Sequence, residues 1–326
     1  MCGYRKFKRK PKLTDMPPLP RAIVFAYHNV GVRCLSVLLA HGVNIPLVVT
    51  HRDNPNENIW FDSVAELAAQ HDIPTITPDD PNTPEILAQI QALKPDFIFS
   101  FYYRNMLKKA LLEIPSRGAY NMHGSLLPKY RGRVPVNWAI IKGERETGAT
   151  LHVMNEKPDN GAIVDQQAVP ILPDDTALEV FHKVTCAAEF ALDRCLPGLL
   201  AGTAQLTPQD LSQGGYFGGR RPEDGKIDWL QSALAIHNLV RAVAPPYPGA
   251  YTLLAGKPMR VLKTLIEPQR QSRAAAPVFY CVHGRCYAEC GDGKVLRILT
   301  FELGGKAMSA DEWIAASGTG PLPLGV

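Results

Sequence analysis

Asn121 and His123 stand two residues apart in the stretch NMHGSLLPKYRGRVPVNW, and Asp159 follows further on in the turn KPDNG. A short strand is predicted to carry the first two, and alternation along it puts both side chains on one face. One carboxamide, one imidazole and one carboxylate suit acyl transfer to an amine. The amide N–H groups donate to a tetrahedral oxyanion, and the imidazole moves a proton near neutral pH. The carboxylate fixes the imidazole tautomer and favours its charged form. Each residue also fits a structural role when taken singly: His123 as a hydrogen-bonding strand residue, Asn121 and Asp159 as turn formers.

Other candidates surround this group. Lys129, Arg131 and Arg133 fall within five residues that hold no acid, either as a solvated basic loop or as a loop that meets anionic ligand groups. Arg220 and Arg221 serve the same purpose or pair with Glu223 and Asp224. His28, His51 and Asp53 come at the ends of the first two predicted strands, where they shape a cleft or cap turns. Phe101, Tyr102 and Tyr103 close another strand, divided between core and cleft. His152 and His237 read as ordinary elements of a strand and a helix, with no chemistry expected of them.

The elements that must position these side chains are legible in the hydrophobic pattern. RAIVFAY, NIPLVVTH, PTITP and PDFIFSFYY read as strands. Between them VGVRCLSVLLAHG, SVAELAAQHD and TPEILAQIQALK read as helices, the second opened by Ser63 with Glu66 three residues later. Strands alternating with helices imply a Rossmann-like, doubly wound, mainly parallel sheet. The first strand-to-helix turn, AYHNVGVRC, holds one glycine where a dinucleotide fingerprint needs three, so NAD or FAD is not expected. After the helix VNWAIIKG and the strands GATLHVM and GAIVDQQAVPI, a long amphipathic helix begins near Asp175 and is expected to break at Pro197. A Gly- and Pro-rich linker with the helix SALAIHNLVRAV follows over 206–249. Short strands from 250 to 326 suggest a small antiparallel β-barrel of OB-like type. The catalytic domain is thus expected at 21–205, after a basic tail at 1–20.

The 326 residues carry a formal net charge of +4, with 46% hydrophobic and 20% charged side chains, an ordinary globular composition. Residues 1–20 hold six basic side chains and one acid. The rest is close to neutral, which argues against a broad nucleic-acid grip. The tail is expected to be extended, and a weak contact with anionic lipid is the alternative use for it. No membrane span and no secretion signal are expected. Seven cysteines without a CxxC pair suggest no disulfide framework and a reducing cytoplasm. Cys281, His283, Cys286 and Cys290 have the composition of a zinc site, but their segment reads as a hairpin whose cysteines are buried small apolar residues, so no metal is expected.

NMHGSLLPKYRG, the helix after it and KPDNG resemble the N10-formyltetrahydrofolate-dependent formyltransferase family. Within it the likeness is strongest to the N-terminal formyltransferase modules of the ArnA-type bifunctional polymyxin-resistance enzymes. AYHNVG, THRDNPNE, PDFIFSFYYR, GERETGATLH, DNGAIV, GRRPEDGKIDW and VRAVAPPYPGAY carry it in order, from about Arg21 to Tyr251. The resemblance implies that Asn121 polarises a formyl oxygen, that His123 takes a proton from the amine and delivers one to N10 of the folate, and that Asp159 orients His123 and raises its pKa. It implies a folate pocket made by the backbone of Asn105, Met106 and Leu107, by Arg133, and by the segment Asn155, Glu156, Lys157, Pro158 and Asp159. Lys129, Arg131 and Tyr103 are the expected contacts of the second substrate. N10-formyltetrahydrofolate is the implied co-substrate, and the 4-amine of UDP-4-amino-4-deoxy-L-arabinose is the implied acceptor, a step in lipid A modification. The alternatives are another amino-sugar nucleotide, methionyl-tRNA, or a folate- or nucleotide-binding protein without turnover.

Overall fold

The computed structural model describes residues 19–272 and 274–325. The basic tail expected at 1–20 lies outside them but for its last two residues. The buried run Arg21–Ala26 forms β1 and His28–Ala40 forms α1. β2 (Asn44–Val49), α2 (Val64–Gln70), β3 (Thr75–Ile76), α3 (Pro84–Ala92) and β4 (Phe97–Phe101) continue the alternation. α2 opens where predicted, with the Ser63 hydroxyl accepting the Glu66 N–H. Then come α4 (Lys109–Leu112), β5 (Ala119–His123), β6 (Arg131–Gly132), α5 (Pro135–Ile141), β7 (Glu146–Val153), β8 (Ile163–Pro170) and α6 (Ala177–Ala201).

Seven strands make one sheet in the order β3-β2-β1-β4-β5-β7-β8. The first five are parallel, and β5–β7 and β7–β8 are antiparallel. On one face Val24, Phe99 and Met122 pack with Leu35 of α1 and Val184 of α6. On the other, Ile23, Phe25 and Ile98 pack with Ile90 of α3 and Leu111 of α4. Each such side chain contributes roughly 1.5–3 kcal/mol on burial, so both faces hold the sheet rigid beneath its carboxyl edge. β5 is the strand at which the sheet changes from parallel to antiparallel pairing.

α6 begins next to Asp175, as read, with Thr176 and Glu179 closing its start in a reciprocal capping box; one expectation is corrected here. The helix does not break at Pro197 but runs on to Ala201 and ends at Gly202, whose φ is 71°. Proline removes one backbone hydrogen bond, and buried Leu196 and Leu199 hold the final turn on the core regardless.

β9 (Tyr216–Phe217) and α7 (Ala233–Ala242) lead to a second sheet. β10 (Ala250–Leu254), β11 (Lys257–Gln271), β12 (Val278–Val282), β13 (Arg285–Glu289), β14 (Lys294–Leu303), β15 (Lys306–Ala307), α8 (Ala310–Ser317) and β16 (Leu322–Pro323) complete the described chain. The sheet is antiparallel in the order β10-β11-β14-β13-β12-β16 and curls into a half-barrel closed by α7. Here the cysteine reading is corrected. Cys281 and Cys286 form a disulfide rather than standing as free thiols. The two-residue turn at His283 and Gly284, both at positive φ, sets β12 and β13 in the register that places these cysteines opposite each other. Cys290 is buried and free. Among the described residues no group of three or more His, Cys, Asp or Glu is arranged to hold a metal ion, and no helix is long and apolar enough to cross a membrane.

Candidate active site

Along β5, Tyr120 and Met122 face the α1–α6 layer, while Asn121 and His123 point to the other side. Ala119 shares that second face and is still covered by α3 and α4. Beyond it, toward the carboxyl edge, polar groups replace the apolar ones. Asn121 pairs across the ladder with His152 of β7, and His123 pairs with Thr150.

The three predicted residues come together. His123 is buried, with Nδ1 3.6 Å from Asp159 Oδ1, an ion-pair distance slightly beyond a hydrogen bond. Its Nε2 lies 2.8 Å from the Tyr130 carbonyl. A carbonyl only accepts, so the proton of the neutral ring sits on Nε2 and the open lone pair on Nδ1. Asp159 takes a positive φ of 57° in its turn, and its Oδ2 accepts the Gly132 N–H at 2.8 Å. Gly132 itself has a φ of 101°, a conformation that favours a residue without a side chain.

Burial dominates the titration of His123 and lowers its pKa below the ordinary histidine value, although Asp159 and the Tyr130 carbonyl push it upward. Asp159 raises this pKa, as expected of it, but burial outweighs the carboxylate and sets the net direction. Burial raises the Asp159 pKa, but His123, His152 and the Gly132 N–H together outweigh it and hold the carboxyl well below the usual range. The resting pair at neutral pH is a neutral imidazole beside a carboxylate.

His152 belongs to this cluster, contrary to its reading as a plain strand residue. Its Nδ1 donates to the Val153 carbonyl at 2.9 Å, which leaves Nε2 to accept the Asn121 amide N–H at 3.2 Å. Nε2 also lies 3.5 Å from Asp159 Oδ1. One Asn121 N–H is thus fixed by the protein, and the other remains for a ligand. No local signal in the sequence marks it: the antiparallel pairing of β7 with β5 brings position 152 beside 121.

The basic loop is mostly built into the protein. Arg131 donates to Asn160 Oδ1 at 2.8 Å and to the carbonyls of Leu211 and Gly214. Lys129 pairs with Glu144 at 3.4 Å, and the Tyr130 hydroxyl donates to the same carboxylate at 2.8 Å. Arg131 and Gly132 also pair with Tyr216 and Phe217 as the two-strand ladder β6–β9. Arg133 is exposed beside this ladder.

Asn105, Met106 and Leu107 follow β4 at the carboxyl edge. Asn105 donates to the Asp79 carbonyl, Met106 is exposed, and Leu107 is buried in the α3–α4 layer. Across from them runs the segment Asn155, Glu156, Lys157, Pro158 and Asp159, in which Asn155 Oδ1 accepts the Lys157 N–H. Lys109 and Glu156 span the gap with a 3.2 Å ion pair. Tyr103 stacks on His51 with ring centroids 4.2 Å apart, and His28 stacks on Phe61 at 3.9 Å. Arg104 pairs with Glu57 and lies over the Tyr27 ring. His28 and His51 thus stand at the cleft edge in aromatic contacts.

The chain matches the formyl transferase family model over residues 34–196 and the model of the formyl transferase C-terminal domain over residues 220–318. It belongs to the formyltransferase family. Similar solved structures share the fold. An N-formyltransferase from Helicobacter canadensis, in complex with folinic acid and dTDP-3-aminofucose, is 21% identical, with a TM-score of 0.68 over 86% of this chain and 98% of that one. A sugar N-formyltransferase from a Shewanella species is 23% identical, with a TM-score of 0.60 over 76% and 99%. HypX from Aquifex aeolicus, in complex with tetrahydrofolic acid, is 17% identical, with a TM-score of 0.60 over 91% of this chain and 47% of that one. This formyltransferase therefore pairs its family's catalytic sheet with the family's C-terminal half-barrel.

Proposed function

We propose that this enzyme transfers the formyl group of N10-formyltetrahydrofolate to the amine of a sugar nucleotide, and that its acceptor is the 4-amine of UDP-4-amino-4-deoxy-L-arabinose. The observation that carries the reaction class is the neutral His123 held between the Tyr130 carbonyl and the Asp159 carboxylate, two residues from an amide with one free N–H. The sugar nucleotide is supported by the Helicobacter protein of the same fold, which was solved with folinic acid and dTDP-3-aminofucose. The arabinose derivative is supported by the run of motifs shared with the ArnA-type modules.

N10-formyltetrahydrofolate supplies the one-carbon unit. Its pocket is the cleft between Asn105, Met106 and Leu107 on one side and 155–159 on the other, bridged by Lys109 and Glu156. Arg133 stands at its rim, and Lys129 and Tyr103 border the second substrate, while Arg131, taken up by Asn160, Leu211 and Gly214, shapes the loop that carries them. Asn121 donates its free N–H to the carbonyl oxygen as negative charge builds there. His123 accepts the amine proton at Nδ1, and the imidazolium is stabilised by Asp159 and by the Tyr130 carbonyl. His123 then returns the proton to the departing nitrogen. No covalent bond to the protein is needed, because the amine attacks the formyl carbon directly once the two are held together.

The test is incubation with formyl-folate and a panel of amines: UDP-4-amino-4-deoxy-L-arabinose, dTDP-linked amino sugars and methionyl-tRNA. Mass spectrometry should find the formylated UDP-sugar as the preferred product. Preference for another amine would overturn the acceptor, and transfer to none would overturn the reaction.

A further inference from the structure

The turn that carries Asp159 is held from three sides. From the catalytic loop, the Gly132 N–H meets Asp159 Oδ2, and Arg131 Nη1 donates to Asn160 Oδ1 at 2.8 Å. Gly161 is pressed on β7, where a Cβ would come within 1.8 Å of the Val153 carbonyl oxygen. The carbonyls on either side of Asn160 are taken by Gln209, from the linker between α6 and β9. Its Nε2 donates to the Asp159 carbonyl at 3.0 Å and to the Gly161 carbonyl at 2.6 Å. Both partners are carbonyls, which only accept, so the amide nitrogen is the end that faces them. Oε1 of the same amide is buried and meets no donor among the described residues. Gln209 therefore acts on the turn through its N–H groups alone.

The linker is built to deliver this side chain. Thr207 and Ile163, the first residue of β8, exchange both backbone bonds at 2.8 Å. Pro208 follows, and a residue before proline is steered to the extended backbone that such pairing needs. On its other side Gln209 is followed by Leu211, whose carbonyl accepts from Arg131. The reach of Gln209 is thus fixed at both ends. Asp159 sits at a φ of 57°, a conformation that persists only where the surroundings hold it. A relaxed turn would carry its carboxylate away from His123 Nδ1, 3.6 Å distant in the clamped turn.

We infer that Gln209 is a positioning residue for the transfer: by clamping 159–161 it keeps the Asp159 carboxylate on the imidazole of His123. The inference rests on the proton-transfer role proposed for that pair. The other charged or titratable side chains at the turn are His152 of β7 and Arg131 of β6, and both remain in a Gln209 variant. Asp159 raises the His123 pKa against burial, so withdrawal of the carboxylate lowers that pKa further.

The test compares Gln209→Met, which keeps the bulk of the side chain and removes its donors, with Asp159→Asn, both in the full chain. Gln209→Met should lower kcat by about 10–100-fold, since a misplacement of ~1 Å costs on the order of 10²-fold, with the KM for the amine unchanged. NMR of labelled histidines, which needs no turnover, should give a His123 pKa below that of the parent protein in both variants. Gln213→Met alters a glutamine of the same linker whose side chain bonds to Asp210, and it should move neither quantity. A Gln209→Met protein with the parent's kcat overturns the inference, and so does a fall in kcat with the His123 pKa unmoved. Should Gln209→Met lower Tm, Gln209→Glu carries the comparison at pH ~8, above the carboxyl range. It keeps the shape of the amide but turns oxygen on both carbonyls, and full kcat in that variant overturns the inference as well. Full kcat in Asp159→Asn would overturn both the inference and the role proposed for Asp159. A parent protein that formylates no amine would overturn the proposed reaction, and the NMR comparison would still decide the clamp.

Discussion

Asn121 Nδ2 lies 3.2 Å from Nε2 of His152, the residue directly opposite it on the antiparallel neighbour of β5. The imidazole is an acceptor in this contact because its other nitrogen donates to the Val153 carbonyl. Asn121 is thereby held with its second N–H free, an arrangement the amide cannot keep without a partner. Asn121→Ala should lower kcat by roughly 10²–10³-fold, the usual loss for one oxyanion donor. His152→Phe keeps the ring volume and removes the acceptor. It should lower kcat by about 10–100-fold, as loss of an orienting partner does, with the KM for formyl-folate little changed. Steady-state kinetics on both variants checks this; a His152→Phe enzyme with full kcat would remove His152 from the site's function.

His123→Ala should cost ~10²–10⁴ in kcat, the range of a general acid–base group. Its pKa is lowered by burial, so the neutral form predominates at pH 7. The acid limb of the kcat profile should accordingly fall below the ordinary histidine range near pH ~6.5. A profile whose acid limb lies above that value would contradict the burial argument.

Acid should also loosen the fold. Burial pushes the His28 pKa down to about 3 and that of His51 down to about 4, with Arg104 adding to both. Below the unfolded value of ~6.5 the unfolded chain binds protons that these folded groups refuse. Their stabilisation is therefore complete above that pH and is lost as pH falls. For His28 the change between pH 6.5 and pH 5 is about 2 kcal/mol. Thermal unfolding at pH 7 and pH 5 should show the drop, and His28→Asn, which tolerates the positive φ of that position, should shrink it.

Gly132→Ala should be damaging twice over. The added Cβ would sit 2.2 Å from the Phe217 carbonyl oxygen, in a backbone conformation strained for any L residue. A loss of roughly 1–3 kcal/mol is expected from the strain alone. The displaced N–H would also leave Asp159 Oδ2 without its donor, so kcat should fall even where the protein remains folded. Circular dichroism melts alongside kinetics separate the two effects.

Tyr130→Phe offers the contrasting case. The hydroxyl bond to Glu144 is lost, which costs about 0.5–1.5 kcal/mol. The carbonyl that holds His123 belongs to the backbone and survives, so kcat should change less than threefold on the scale where ~1.4 kcal/mol is tenfold.

The alternation of strands and helices was readable because buried parallel strands and amphipathic helices leave different periodicities, and Ser63 and Glu66 mark a helix start by local chemistry alone. The grouping of Asn121 and His123 followed from alternation along one strand. His152 was not readable, because its place depends on which strand lies beside β5 and in which direction, a long-range fact with no local signature. The same holds for Arg131: a basic residue in a loop looks available until Asn160, Leu211 and Gly214 are seen around it. Pro197 misled for the opposite reason, as a strong local signal overruled by the burial of its neighbours. The disulfide went unread because cysteine counting says nothing about register, which the turn at His283 and Gly284 decides.

The ladder of β6 with β9 joins a pair of residues in the catalytic loop to a pair in the segment that leads to the half-barrel. Shortening the chain to its first sheet would preserve nearly every buried aliphatic contact around that sheet and still strip the loop of its tether. The segment that leads to the half-barrel is in this sense a structural part of the reaction centre, and a minimal catalyst has to keep Tyr216 and Phe217.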